Sequence, residues 1–116
     1  MLYIGCALHD IGKVCEYNLG DISEEGKVLS HLISGALIIA NEFEDIICRE
    51  MGDRFFYDLI SIISSHHGEF GEPPRTVAAY IIHKLDMLDS IFTSLNDSLE
   101  DAKKGDVMMY DGFKLS

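Results

Sequence analysis

Hydrophobic residues recur at helical spacing in three parts of the chain. They lie three or four positions apart in residues 27–51, continue so after Gly52, and form a third stripe after Thr76. This period places apolar side chains on one helix face, so it predicts three buried amphipathic faces. The predicted core positions are Val28, Leu29, Leu32, Ile33, Ala36, Leu37, Ala40, Phe43 and Ile47; Phe56, Leu59, Ile60 and Ile63; and Val77, Tyr80, Ile81, Leu85, Leu88, Phe92 and Leu95.

Glycine and small polar residues mark the boundaries of the first predicted helices. An apolar run over residues 1–8 predicts a short opening helix, with Gly12 as its terminator. Residues 15–26 lack periodicity and predict a loop. Gly52 interrupts the long helix, and Asp53 is suited to cap the next one.

The second half of the chain has equally clear boundaries. Residues 68–75 contain two glycines and a Pro-Pro pair, which predict a shaped loop, and Thr76 is a suitable N-cap for the helix that follows. We expect that helix to end near residues 96–97. Beyond it, a short apolar run broken by Asp111-Gly112 is compatible with a small hairpin or a docked tail.

The fold class that follows is all-α, as a compact helical bundle. No segment alternates strongly enough between apolar and polar residues to predict a sheet. At 116 residues, the chain is the size of one domain, so we expect a single domain over residues 1–116 with residues 97–116 as a C-terminal tail.

Composition narrows the partners and the compartment. A formal charge of -11 argues against a broad nucleic-acid-binding surface, because the field of the protein repels polyanions. The three cysteines form no CxxC pair, which favours a reducing compartment. No apolar stretch approaches the roughly 20 residues of a membrane span, and no signal peptide is evident. We therefore expect a cytoplasmic protein without membrane contact.

Five histidine and aspartate residues lie in predicted loops or at predicted helix ends, and a further aspartate, Asp86, lies in the interior of the last helix. Imidazole nitrogen and carboxylate oxygen together suit borderline divalent metals. A lone histidine is more often structural, and a lone aspartate is often a surface charge or a cap. Their combination at loops and helix termini instead predicts one metal site, because packing alone rarely selects imidazole there. The candidate ligands are His9, Asp10, His31, His66, His67 and Asp86.

Residues 7–13, with the sequence Ala-Leu-His-Asp-Ile-Gly-Lys, resemble the defining motif of the HD superfamily of metal-dependent phosphohydrolases. The downstream order is similar to the subgroup with a binuclear centre: His31 with Gly35, a His-His pair before a loop rich in Gly and Pro, and a late helix with an Asp. Residues 65–70 and 83–90 most resemble the HD domain of bacterial exoribonucleases that degrade RNA from the 3′ end. The resemblance covers roughly residues 4–92.

The resemblance implies a centre of one or two divalent cations, taken from manganese, iron, nickel, cobalt, zinc or magnesium. His9 and Asp10 would be ligands, with Asp10 able to bridge two ions. His31, His66 and His67 would complete the second ion, and Asp86 would return to the first. Asp89, one turn beyond Asp86, is the second choice for that ligand.

The resemblance also implies how a substrate is handled. Asp10 and Lys13 would be catalytic, with Lys13 meeting the substrate phosphate as a point charge. Arg75 is a candidate second phosphate contact, against the alternative of an exposed structural arginine. His83 would either orient Asp86 or contact substrate.

The implied function is hydrolysis of a nucleotide or RNA phosphoester by a metal-activated water, by a phosphodiesterase or a phosphomonoesterase. The alternative is a catalytically inactive module of the HD type that binds a nucleotide or a protein. Superfamily members usually carry one more His ligand upstream, whereas eight residues precede His9 here. We therefore expect an N-terminally truncated HD domain, or one completed by a homo-oligomer or by an upstream domain that supplies this histidine.

Overall fold

The computed structural model describes residues 1–68, 71–101 and 107–115. The chain divides into two compact units, Met1–Asp86 and Met87–Ser116. Every candidate metal ligand except the second choice, Asp89, belongs to the first unit. The single domain expected over residues 1–116 stays a prediction.

Helices dominate the described residues, as the hydrophobic spacing predicted, so the all-α fold class is confirmed. Two antiparallel pairs of very short strands accompany them. The elements are α1 (Leu2–Leu8), α2 (Lys13–Glu16), β1 (Tyr17–Asn18), β2 (Asp21–Ile22), α3 (His31–Met51), α4 (Asp53–Ser65), α5 (Val77–Asp101), β3 (Met108–Tyr110) and β4 (Phe113–Leu115).

Helix α4 is the centre of the core because two of its sides are covered. On one side, Ile39 of α3 packs with the buried α4 residues Phe56, Leu59 and Ile63. On the other, Ile62 packs with two buried residues of α5, Ala79 and Ile82. Helix α1 also approaches α4 closely at Gly5, where an added Cβ atom would lie 3.0 Å from the Ile62 side chain. Because α4 is packed on two sides, the position of the turn that follows its C-terminus is fixed as well.

The helix boundaries agree with the sequence where a capping residue sets them. The Thr76 hydroxyl accepts a hydrogen bond from the Ala79 N–H at 3.1 Å, which confirms the predicted N-cap of α5. Helix α3 begins at residue 31 rather than 27, because the preceding residues form turns and Ser30 is extended (φ -69°, ψ 155°). Helix α5 runs to Asp101, past the predicted end near residues 96–97, since no glycine or proline stops it there.

The buried faces of α3 and α5 differ from the predicted ones. Ile39 is buried, although it was not among the predicted positions, and α5 buries Ala79 and Ile82 rather than the stripe of larger residues. Periodicity detects an apolar stripe, but the neighbouring helix decides which side it covers. The predicted core residues that are exposed are Val28, Ile33, Leu37, Phe43, Val77, Tyr80, Leu85, Leu88 and Phe92.

Two hairpins replace parts of the predicted irregular structure. The expected loop of residues 15–26 contains β1 and β2, joined through Leu19 (φ 53°) and Gly20 (φ 89°). Two positive φ values are the conformation that suits a two-residue hairpin turn. Strands β3 and β4 pair around Asp111-Gly112, so the hairpin alternative is confirmed for the end of the chain. Of the predicted tail, residues 97–101 are helical, and residues 102–106 and 116 lie outside the described residues.

The turn between α1 and α2 packs directly on the start of α3. A Cβ atom on Gly12 would overlap the His31 carbonyl oxygen and lie 2.6 Å from the Gly35 nitrogen. Gly12 itself has ordinary helical angles (φ -63°, ψ -18°) and is the N-cap of α2, so its predicted role as a helix terminator is wrong. Glycine is required here because two backbones touch, and their contact brings residues 9–10 against His31.

We expect Gly12→Ala to lower the free energy of unfolding by about 3 kcal/mol or more, since the added methyl must push one backbone away from the other. Gly20→Ala is the matched control: nothing lies within 4 Å of its Cβ position, although its φ of 89° strains an alanine. That variant should lose about 1 kcal/mol. Urea unfolding followed by far-UV circular dichroism measures both, and equal losses would contradict the close-packing role of Gly12.

Candidate metal centre

Two turns, one helix start and one helix interior bring the predicted ligands together. His9 is the C-cap of α1, and Asp10 follows it in the turn. His31 is the first residue of α3, and His66 and His67 form the turn after α4. At these positions the chain changes direction, so side chains that are adjacent in sequence can face the same point.

Four ligand atoms form a compact group. One atom from each of Asp10, His31, His66 and His67 lies within 4.8 Å of the other three. The Asp10 Oδ1 oxygen is 3.2 Å from His66 Nε2 and 3.5 Å from His31 Nε2. His31 Nε2 and His67 Nε2 are 2.9 Å apart. A carboxylate oxygen and three imidazole nitrogens match the donor set of borderline divalent cations.

His66 supplies the observation that tests whether a cation fits. Its side chain is fully buried, and its Nδ1 donates to the Ile63 carbonyl oxygen at 2.9 Å. The proton is therefore on Nδ1, which leaves a lone pair on Nε2. That Nε2 atom has no hydrogen-bond partner among the described residues. A buried nitrogen with a free lone pair beside a carboxylate fits a metal ligand better than a packing residue.

The protonation states of the group favour metal binding. Burial lowers the pKa of His66 to about 4, and the nearby His67 acts in the same direction. Burial, with repulsion from His31, also lowers the pKa of His67. Both rings are thus neutral at neutral pH, and neutral imidazole is the form that binds metals.

A second set of donors lies on the other side of Asp10. His9 Nδ1 donates to the Cys6 carbonyl oxygen at 2.7 Å, so its Nε2 carries the free lone pair. That Nε2 atom is 3.6 Å from Asp10 Oδ2 and 3.5 Å from Asp86 Oδ1. Because the two oxygens of Asp10 face different histidines, this carboxylate is placed to serve two cation positions.

Lys13 extends toward the same carboxylate. Its ammonium lies 2.6 Å from Asp10 Oδ2, and this hydrogen bond raises the pKa of Lys13. Burial opposes ionisation of Asp10, but Lys13 and the neighbouring histidines outweigh it, and the pKa of Asp10 is lowered. Asp10 is therefore charged at neutral pH, and the Lys13 ammonium lies beside its Oδ2 oxygen.

The remaining predicted site residues have other contacts. His83 Nδ1 donates to the His66 carbonyl oxygen at 2.8 Å, and its ring covers Gly68, so it supports the His66-His67 turn. Arg75 is exposed and pairs with Glu72 at 2.9 Å. Substrate contacts for His83 and Arg75 stay predictions. Residues 69–70 of the sequence motif lie outside the described residues.

Glu16 is the site residue that sequence reasoning missed. Its Oε2 oxygen is buried and lies 2.8 Å from His31 Nδ1. The two groups are in close contact but do not make an aligned hydrogen bond. Glu16 carried no motif signal, because its partner is fifteen positions away and only the packing of α2 against α3 brings the two residues together.

Comparisons with known proteins give matches to one family model and to several curated proteins. The family model described as HD domain matches residues 1–91. The chain is 34% identical over 114 residues to the 3′-5′ exoribonuclease YhaM of Bacillus licheniformis, and 35% identical over 116 residues to the YhaM of Geobacillus sp. strain WCH70. The YhaM of Bacillus subtilis strain 168 is 32% identical over 114 residues.

The coverage of these matches is unequal. Each alignment covers 91% of this chain but only 34% or 35% of the relative. The chain therefore spans about a third of the length of the curated relatives it matches. No solved structure matches the chain. Among the described residues, every helix is too short or too polar to cross a bilayer.

We expect Asp86→Asn to weaken binding of Mn²⁺ by at least about tenfold, because Asp86 is the carboxylate beside His9 Nε2. Asp89→Asn, one turn further along α5, makes the same charge change at an exposed position and should leave the affinity unchanged. Isothermal titration calorimetry with MnCl₂ measures both variants. The reverse order would assign the ligand role to Asp89.

Proposed function

This chain belongs to the HD domain family, and we propose that its histidine and aspartate cluster hydrolyses phosphoester bonds with divalent cations bound. The observation that carries the proposal is the group formed by Asp10, His31, His66 and His67, in which the buried His66 Nε2 lone pair has no partner among the described residues. A bound cation would satisfy this nitrogen, and it would also offset the negative charge of Asp10.

The donors divide into two sets that share Asp10. His31, His66 and His67 would hold one cation with Oδ1, while His9 and Asp86 would hold another with Oδ2. A bound divalent cation supplies a Lewis acid for phosphoryl oxygens and lowers the pKa of a coordinated water. The backbone contacts of His9 and His66 keep each lone pair directed at Asp10, so the ligands are oriented before binding.

Lys13 is the residue we propose for phosphate binding. Its side chain is half-exposed, while its ammonium is next to the ligand Asp10. The ammonium is therefore close enough to the proposed ligands to donate to an anionic oxygen of a substrate phosphate held there.

We propose RNA, cleaved from its 3′ end, as the substrate class. The relatives that match 91% of this chain are named 3′-5′ exoribonucleases. The formal charge of -11 leaves little general attraction for a polyanion. Recognition in this part of the chain would therefore be confined to the phosphates nearest the cations and Lys13.

The first test is hydrolysis of bis(4-nitrophenyl) phosphate by protein supplied with Mn²⁺, with the mono-ester 4-nitrophenyl phosphate compared in parallel. We expect the diester to be cleaved faster. Asp10→Asn and His66→Gln should each lose the activity, because each removes one donor of the group, while their helicity stays near that of the wild type. Asp21→Asn, on the exposed strand β2, is the control and should keep full activity.

Wild-type protein that binds no added Mn²⁺ and is inert toward both esters would instead identify an inactive binding module. A 5′-labelled oligoribonucleotide then tests the substrate class in the active protein. Shortening from the 3′ end in single-nucleotide steps supports the exonuclease proposal, and internal cuts would contradict it.

For Lys13→Met we expect kcat/KM for the diester to fall about tenfold to a hundredfold, the value of one charge-assisted hydrogen bond, while Mn²⁺ affinity is retained or increased. Lys27→Met removes an exposed lysine that pairs with Glu24, so it controls for the change in net charge. Steady-state kinetics with a calorimetric titration separates the two effects. A loss of Mn²⁺ affinity in Lys13→Met would show that the lysine supports the metal group rather than the substrate.

A further inference from the structure

The histidines of the cluster are oriented in two different ways. His9 and His66 each donate Nδ1 to the backbone carbonyl three residues earlier, at 2.7 and 2.9 Å. His31 is the first residue of α3, and its Nδ1 faces a side chain, the Glu16 carboxylate, at 2.8 Å. A carboxylate carries a negative charge that a carbonyl oxygen lacks, so at this distance it opposes a lone pair on Nδ1 and favours a proton there, even without an aligned hydrogen bond.

The backbone around Glu16 holds this carboxylate in place. Glu16 ends α2, and its carbonyl oxygen accepts the Ser23 N–H at 2.8 Å. Gly26 packs against the same peptide, with its Cβ position 2.9 Å from the Glu16 Cα. The side chain is 20% exposed and that of His31 is 14% exposed. The backbone of Glu16 is thus anchored by the hairpin region, and its side chain is mostly buried.

The contact determines which nitrogen of His31 is available. A carboxylate only accepts, so the proton of a neutral His31 ring belongs on Nδ1 and the lone pair belongs on Nε2. That Nε2 atom is 3.5 Å from Asp10 Oδ1 and 2.9 Å from His67 Nε2. In the metal-free protein, His67 Nε2 would then donate to His31 Nε2.

We propose that Glu16 is a positioning residue of the metal centre: it holds His31 in the tautomer with Nδ1 protonated and directs the Nε2 lone pair at the cation site. This inference rests on the proposed metal role of His31. Glu16 itself makes no contact with substrate in this proposal, so a change at Glu16 affects the reaction only through His31.

Glu16→Gln tests the inference with little change of volume. The amide can donate to Nδ1, so it removes the charge and permits the other tautomer. We expect Mn²⁺ affinity to fall about tenfold to a hundredfold, as for other groups that orient a ligand. Glu24→Gln is the matched control, since it makes the same charge change on an exposed side chain and should bind like the wild type. Equal affinities for Glu16→Gln and wild type would overturn the inference.

The tautomer of His31 is measured separately in metal-free protein. Nitrogen-15 chemical shifts of the imidazole rings, assigned by comparison with His31→Gln, should show Nδ1 protonated in wild type and a redistribution toward Nε2–H in Glu16→Gln. Wild-type His31 with its proton on Nε2 would overturn the inference, whatever the variants do.

The two measurements separate this inference from the proposed function. If wild-type protein binds no Mn²⁺, the proposed function fails, and the nitrogen-15 shifts still decide whether Glu16 sets the tautomer. If wild-type protein binds Mn²⁺ and Glu16→Gln does so equally well, only the role of Glu16 fails. Far-UV circular dichroism and thermal melting of metal-free Glu16→Gln and Glu24→Gln exclude unfolding as the cause of a lost affinity.

Discussion

The candidate site depends on the contact between two backbones, at Gly12 and at the start of α3. No side chain fits between Gly12 and the His31 carbonyl oxygen. This contact places the His9-Asp10 turn beside the first residue of α3, while the packing of α4 against α3 brings in the turn that follows α4. The ligands therefore come from segments whose backbones are held by packing, which keeps the donor atoms close without a cation to gather them.

Burying these donors lowers the stability of the metal-free fold. His66 is buried without a partner for Nε2 among the described residues, and burial is the main reason why its pKa falls to about 4. Such a nitrogen is an unfavourable feature in a purely structural core, since a buried acceptor without a donor loses its hydration. A cation at this position would remove the cost, so the same feature that weakens the metal-free fold would favour metal binding.

In the proposed function, charge acts locally rather than through the overall field of the protein. The formal charge of -11 opposes the approach of a polyanion, whereas Lys13 and any cations bound around Asp10 would concentrate positive charge at one place. Glu16 adds a carboxylate that faces the outer nitrogen of His31 rather than the group of donor atoms. Negative charge thus serves two functions in the proposed centre, as a ligand through Asp10 and as an orienting group through Glu16.

The sequence by itself determined the helical class, the cap at Thr76 and the set of candidate ligands, because these follow from local spacing and from motifs a few residues long. It did not determine which faces of α3 and α5 are buried, that Gly12 is a packing glycine, or that His83 supports the His66-His67 turn. Nor did it identify Glu16, whose partner His31 lies in another element. Those features are decided by contacts between elements distant in sequence, and only the tertiary structure sets their distances.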